Sequence, residues 1–349
     1  MANEIFLNIV KICFLGLISF LISLAIFPII LKLLLRLKFG KTIDKEASPI
    51  FQSLHKKKEG TPTMGGIIFW LTPLIFLLLI LVISFFDKEF SNWINFLNKR
   101  ETYLPLGFMV LGGLMGLIDD LLGILKIRNS KGLKIRDKLI VYFAFSILVS
   151  WWFMIKLGIR FLYVPFFGRV YLNFFLVLLF LIFYIISVSF SANETDGLDG
   201  LLGGVSISII SALMIFSFLN GDYNLTALSA ILIGSILCFL WFNVYPAKIF
   251  MGDTGSMALG SYIAVVSLLE GTYFLMPIIA PIFVLESGSV ILQLLSKKFF
   301  KKKIFLSTPI HHHLEALGIH ESNIVFKFWI LIIAGVILGV IIFLLDKFI

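Results

Sequence analysis

The chain has 349 residues, 60% of them hydrophobic and 14% charged, with a mean hydropathy of +1.05 and a formal net charge of +9. Soluble domains carry about 25% charged and about 45–50% apolar residues, so too little polar surface exists here to coat a soluble body. This excludes a soluble enzyme, a disordered tail protein and a nucleic-acid module, and points the positive balance at anionic lipid headgroups or an anionic substrate at a membrane face.

A membrane-crossing helix needs about 20 mostly apolar residues. In chain order, ten segments fit: Ile12–Leu35, Gly66–Phe86, Leu104–Ile118, Leu139–Ile155, Leu172–Phe190, Leu201–Leu219, Leu225–Val244, Ser256–Leu269, Phe274–Leu295 and Ile324–Phe348. The expected fold is therefore all-α: one polytopic membrane domain over residues 1–349 with ten transmembrane helices. The first run is too long for a signal-peptide core and reads as a retained span. Cys13 and Cys238 lie in apolar runs and suggest neither a disulfide framework nor a zinc site.

The loops between spans alternate sides. Most of the 29 lysines and arginines fall on the side holding the loops after spans one, three, five, seven and nine. Basic loops stay in the cytoplasm, so that side is expected to be cytoplasmic, with both termini outward. On the other side, residues 87–103 and 156–171 read as connectors, the second carrying aromatics suited to an interface belt. No internal repeat is visible, which argues against a transporter of inverted halves.

Nearly every unusual polar cluster lies on the basic side. The first loop reads HKKKEGTPTMGG over 55–66, and the third span ends in Asp119-Asp120. NETDGLDG follows over 193–200, then FMGDTGS over 250–256 and PIHHHLE over 309–315. Clustered carboxylates need a counter-charge. A hard cation with oxygen ligands fits, and Mg²⁺ shared with substrate phosphates is the usual case; His with Asp could instead hold zinc. Asp196 and Asp199 are three apart and share a face if helical. Asp119 and Asp120 point about 100° apart on a helix, so one is expected at a metal or nucleophile and the other oriented by a lysine.

The Gly-Asp-Thr-Gly-Ser stretch opens the eighth span. Backbone N–H groups there favour phosphate, and Asp253 can hold a metal against it or simply cap the helix. Consecutive histidines cannot all face one point, so one of His311, His312 and His313 is expected at substrate and the others on Glu315 or solvent. Lys297, Lys298, Lys301, Lys302 and Lys303 read as a headgroup patch. Glu286, inside the ninth span after Pro277 and Pro281, is a functional candidate because an ionisable group within a span is costly. The prolines suggest a kink, with a groove beside it for a lipid tail.

HKKKEGTPTMGG, NETDGLDG, MGDTGS and PIHHHLE, with the Asp pair, resemble the phospho-N-acetylmuramoyl-pentapeptide transferase family, within the polyprenyl-phosphate N-acetylhexosamine-1-phosphate transferases. The likeness covers the whole chain in motif order. It implies transfer of phospho-MurNAc-pentapeptide from UDP to undecaprenyl phosphate, giving lipid I and UMP, with Mg²⁺ and a homodimer. It implies Asp119 as base or activator with Asp120 beside it, Asp253 as metal ligand with Asn193 and Asp196, and His311 as the essential histidine. Lys58 and Lys138 would hold phosphates, Phe250 would stack on uracil, and Asp199 and Asn243 would contact uridine. Two departures stand out: Gly123 occupies a position usually held by Lys, and Glu194 one usually neutral. A sister transferase using UDP-GlcNAc and a lipid or ion transporter are the competing readings.

Overall fold

The computed structural model describes residues 2–37, 39–40, 58, 60–97, 100–125 and 135–348. His55, Lys56, Lys57 and Glu59 of the first motif lie outside the described residues, as do the loop cations Lys126, Arg128, Lys131 and Lys134. The helices are α1 (Ala2–Arg36), α2 (Ile67–Ile83), α3 (Lys88–Ile94), α4 (Arg100–Ile124) and α5 (Ile135–Trp151), the last closing in a π turn, Trp152–Lys156. A hairpin of β1 (Phe161–Val164) and β2 (Gly168–Tyr171) follows. Then come α6 (Phe174–Thr195), α7 (Leu201–Leu219), α8 (Tyr223–Asn243), α9 (Asp253–Leu269), α10 (Met276–Ile279), α11 (Pro281–Phe299), α12 (Ile310–Ala316) and α13 (Glu321–Phe348).

Seven of these helices are long and apolar enough to cross a membrane, so the chain is a polytopic membrane protein by length and composition. That is the count among the described residues, against ten expected. Helices α2 and α9 are apolar but only 17 residues each. Pro281 restarts the chain after α10, and α11 carries Glu286, Lys297 and Lys298, so proline divides the expected ninth span into two helices.

Helix α9 is the centre of the bundle: every residue from Thr254 to Leu268 is buried. It packs most closely on α4 and next on α6, while α8 joins α1 to α7. The periphery is apolar outward. The most apolar stretch of α1 is 22% buried, against 78% for α8, and exposed Leu, Ile and Phe cover α1 and α13. A helix apolar all round with a bare outer face suits a lipid surround. The close α4–α9 approach depends on Gly116, where a Cβ would overlap the Asp253 carbonyl.

The hairpin departs from the all-α expectation. Phe161, Tyr163, Val170 and Tyr171 favour extended backbone, and the turn between them holds Phe166 at φ 65° and Gly168 at φ 74°. Phe161 pairs with Tyr171 and Val164 with Gly168, antiparallel. Asp346 near the end of α13 accepts from the Tyr163 hydroxyl at 2.8 Å and from the Phe166 N–H at 2.5 Å.

Candidate active site

One end of the bundle gathers the end of α4, the start of α5, the α6–α7 loop, the α8–α9 loop and α12. The contacts there are ionic. Lys138, on the first turn of α5, sets its ammonium 3.0 Å from Asp119 Oδ2 and 2.5 Å from Asp253 Oδ2. Asp119 is buried, whereas the Asp253 side chain keeps 23% of its surface exposed. Asn193, on the last turn of α6, donates to Asp253 Oδ1 at 2.7 Å and to Ser256 Oγ at 2.9 Å.

The two adjacent aspartates do different jobs. Asp119 meets the lysine. Asp120, expected in the catalytic set, accepts from the backbone N–H of Asp253 and of Thr254, each at 3.1 Å. It caps the first turn of α9, where the helix dipole attracts an anion. The phosphate expected on those two N–H groups therefore finds them held by a carboxylate of the chain itself. The consequence is rigid placement of Asp253, whose backbone is fixed from α4 while its side chain faces Lys138 and Asn193.

A second lysine-centred cluster lies beside it. Lys58 donates to Asp199 Oδ1 at 2.8 Å and to Glu321 Oε1 at 2.5 Å. Asp199 Oδ2 accepts from the Ala247 N–H at 2.9 Å, and Glu321 Oε1 accepts from the Asp199 N–H at 2.6 Å. Burial pulls the Lys58 ammonium down, but the charges of Asp199 and Glu321 and their hydrogen bonds outweigh it and hold its pKa above the ordinary lysine value. Its ammonium also lies 5.9 Å from the Phe250 ring centroid. Asn243 bridges loops, its Oδ1 accepting from Gly200 N–H at 2.9 Å and its Nδ2 donating to the Ile249 carbonyl at 2.8 Å. Phe250 is set by backbone pairing: its N–H donates to Pro62 and its carbonyl accepts from Gly65. The residues expected at uridine thus form one connected wall.

The histidines separate as their spacing demands. His311 is buried, with Nδ1 2.9 Å from Glu286 Oε2. His312 Nδ1 lies 2.7 Å from Glu315 Oε2, and His313 Nδ1 accepts from the Leu306 N–H at 3.2 Å. A Cβ on Gly197 would overlap the His311 ring at Nε2, so glycine there lets α12 close on the α6–α7 loop. A cavity of about 200 Å³ lies between them, lined by Asn193, Glu194, Asp196, Gly197, Pro309, His311 and His312.

The donor set suits a hard cation. Among the described residues, Asp119 and Asp253 meet Lys138 directly, Glu194 lies within electrostatic reach of it, and Asn193 adds an amide. Among the described residues no three acidic, His or Cys side chains close on one point; Mg²⁺ does not require that, since it is usually held by one or two carboxylates, waters and substrate phosphates. Two parts of this arrangement were not read from sequence. Glu321 is an isolated acid opening the last helix, and no motif marks it. Glu286 stood out as an intramembrane carboxylate, but its partner His311 lies 25 residues away.

Comparison with known proteins identifies the family. Residues 103–271 match the model of glycosyl transferase family 4, and residues 58–69 match phospho-N-acetylmuramoyl-pentapeptide-transferase signature 1. The chain is 39% identical over 326 residues to the phospho-N-acetylmuramoyl-pentapeptide-transferase of Caldanaerobacter subterraneus, covering 92% of this chain and 95% of the relative. It is 38% identical to that of a Geobacillus species, with 93% and 95% covered, and 37% identical to that of Staphylococcus carnosus, with 94% and 97% covered. The signature contains Lys58, and the family-4 region contains Asp119, Asp120, Lys138, Asn193, Asp199, Asn243, Phe250 and Asp253. The chain belongs to the phospho-N-acetylmuramoyl-pentapeptide-transferase family.

Proposed function

We propose that the chain transfers phospho-N-acetylmuramoyl-pentapeptide from its UDP-linked form to undecaprenyl phosphate, giving lipid I and UMP, the first membrane step of peptidoglycan synthesis. The observation that carries this reading is the meeting of Asp119, Lys138, Asp253 and Asn193 at one end of an apolar bundle. Phosphoryl transfer asks for positioning and charge neutralisation more than for covalent chemistry by the protein. A site at helix ends receives a soluble nucleotide from the loops and a lipid phosphate from the membrane plane.

In this mechanism an oxygen of the lipid phosphate attacks the sugar-linked phosphorus of the pyrophosphate. A new P–O bond forms, the bridging P–O bond breaks, and UMP leaves. Asp119, held by Lys138, takes any remaining proton of the acceptor phosphate. Lys138 offsets charge on the transferred group. His311, buttressed by Glu286, faces the cavity beside Asn193 and Asp196. Lys58, Asp199, Asn243 and Phe250 form the nucleoside wall. Mg²⁺ bound at Asp253, with Asn193 and Asp196 nearby, would stabilise the charge developing on the leaving UMP.

The same reading sets ten crossings in the bacterial cytoplasmic membrane, the site on the cytoplasmic face and both termini outside. Its support is the basic loop bias, which groups Lys58, Lys138, Lys248 and Lys297–Lys303 at the site end. The homodimer is proposed on the family resemblance. The deciding experiment is UMP release by the purified chain with undecaprenyl phosphate and each UDP-sugar, with and without Mg²⁺. Release with UDP-GlcNAc and none with the muramoyl-pentapeptide would sink this assignment in favour of a sister transferase.

A further inference from the structure

We infer that the hydroxyl of Tyr142 donates a hydrogen bond to the phosphate of the lipid acceptor, an inference that rests on the reaction proposed above. Tyr142 lies on α5 four residues after Lys138, on the same helix face. Its side chain is buried at 3% exposure, and its hydroxyl meets no hydrogen-bond partner among the described residues. Buried polar groups are almost always paired, so such a hydroxyl calls for a cause. The hydroxyls of Ser150, Ser189 and Ser206 share that condition. A helical serine, however, can rotate onto the carbonyl one turn back. The phenol oxygen of a tyrosine stands too far from its own backbone to do so.

The surroundings point to an anion handled together with counter-charge. Tyr142 is within electrostatic reach of Asp253 on α9, Glu194 on α6 and Asp119 on α4. Lys138 on its own helix bridges two of these three. A phosphate entering here already faces three carboxylates. A neutral phenol grips it by a hydrogen bond without adding an ammonium that the surrounding carboxylates would capture first.

Depth selects the acceptor over the nucleotide. Helix α5 leaves the site end at Ile135, so Tyr142 sits about 6 Å further into the bundle than Lys138. The nucleoside wall of Lys58, Asp199, Asn243 and Phe250 belongs to the loops instead. A phosphate tethered to a prenyl chain arrives from the membrane side and reaches the Tyr142 level, whereas the pyrophosphate is presented from the loops.

The test is Tyr142→Phe, which removes one oxygen and keeps the ring. Steady-state UMP release is measured against both substrates, with the thermal midpoint in detergent. The expected result is a fall of about tenfold or more in kcat/KM for undecaprenyl phosphate, a KM for the UDP-substrate within about twofold, and an unchanged or higher midpoint. Tyr142→Gln, which restores a neutral donor, regains part of the loss. Wild-type kcat/KM for the lipid in the Phe variant overturns the inference. So does an equal loss for both substrates, or a midpoint lowered by several degrees, which would mean a structural partner for the hydroxyl. A wild-type chain that releases no UMP removes the reaction itself, and the inference with it.

Discussion

Two lysines at the site end each stand between two carboxylates, and they do opposite work. Lys58 closes a cluster: one oxygen of Asp199 goes to the Ala247 N–H, and the Glu321 oxygen it meets also accepts from the Asp199 N–H. Backbone dipoles absorb the surplus charge, and four segments are locked together. Lys138 leaves its cluster open. Asp119 and Asp253 share it, the Glu194 carboxyl lies within electrostatic reach of the same ammonium, and Asp253 keeps 23% of its side chain exposed. A satisfied knot holds shape; one with surplus carboxylate attracts a cation, and phosphates only together with that cation. The same arrangement of a lysine between two carboxylates therefore serves as scaffold around Lys58, and around Lys138 it is the proposed reaction centre.

The largest effects should come from the open cluster. Asp253→Asn and Lys138→Ala should each lower UMP release by about 10³-fold, the scale of losing one preorganised charge contact in a reacting site. Initial rates at saturating substrates measure this, and a rate within tenfold of wild type would erase the contrast between the two lysines. Chelation comes next: EDTA should stop turnover by more than about a hundredfold, with Mg²⁺ restoring it, because the excess carboxylates need a divalent partner. Full activity in EDTA would mean that Lys138 alone balances the site.

The open cluster was legible in the sequence and the closed one only in part. Asp119, Asp120, Asn193, Asp196, Asp253 and His311 sit in Gly-rich or repeated-residue motifs at span ends, where polar residues interrupt an apolar run. That interruption is the signal. Glu321 interrupts nothing, since it simply opens α13, and its role exists only because the chain folds Lys58 against it. Asp120 was visible as a residue but not in its job: capping α9 depends on the distance between two helices, which Gly116 permits and no spacing rule reveals. The seven long apolar helices among the described residues were legible from hydropathy alone. The hairpin was not, because its few alternating residues are shorter than the windows that register spans, and Pro281 divided a segment whose mean apolarity reads as continuous.

The closed cluster should answer in stability rather than in chemistry alone. Lys58→Met leaves Asp199 and Glu321 facing each other without their cation and should cost ~3–5 kcal/mol, the range for breaking a buried ion pair. Adding Glu321→Gln removes the repulsion and should recover a good part of it. Chemical denaturation in detergent gives both values, and a double variant no more stable than Lys58→Met would deny the coupling. The pH dependence has a fixed sign. The folded pKa of Lys58 is raised, so its contribution is fully present below the unfolded lysine value and is lost only as pH climbs through the folded one. Between pH 6 and 9 the Lys58 contribution should therefore stay flat. Stability of the wild type relative to Lys58→Met that falls steadily across that window would contradict the ion triad.

The smallest effect belongs to the far end of the bundle, which serves as a reference for both clusters. There Asp346 holds the hairpin through the Tyr163 hydroxyl and the Phe166 N–H, without a lysine between them. Asp346→Asn keeps an acceptor and loses the charge, so it should cost only ~1 kcal/mol, the size of one hydrogen bond weakened rather than removed. UMP release should stay within about twofold of wild type, because the hairpin joins the ends of α5 and α6 that point away from Lys138 and Asn193. A tenfold loss of turnover with unchanged stability would show that the hairpin end is coupled to the reaction through α5, the helix that carries Lys138, and that the open cluster is tuned from both ends of the bundle.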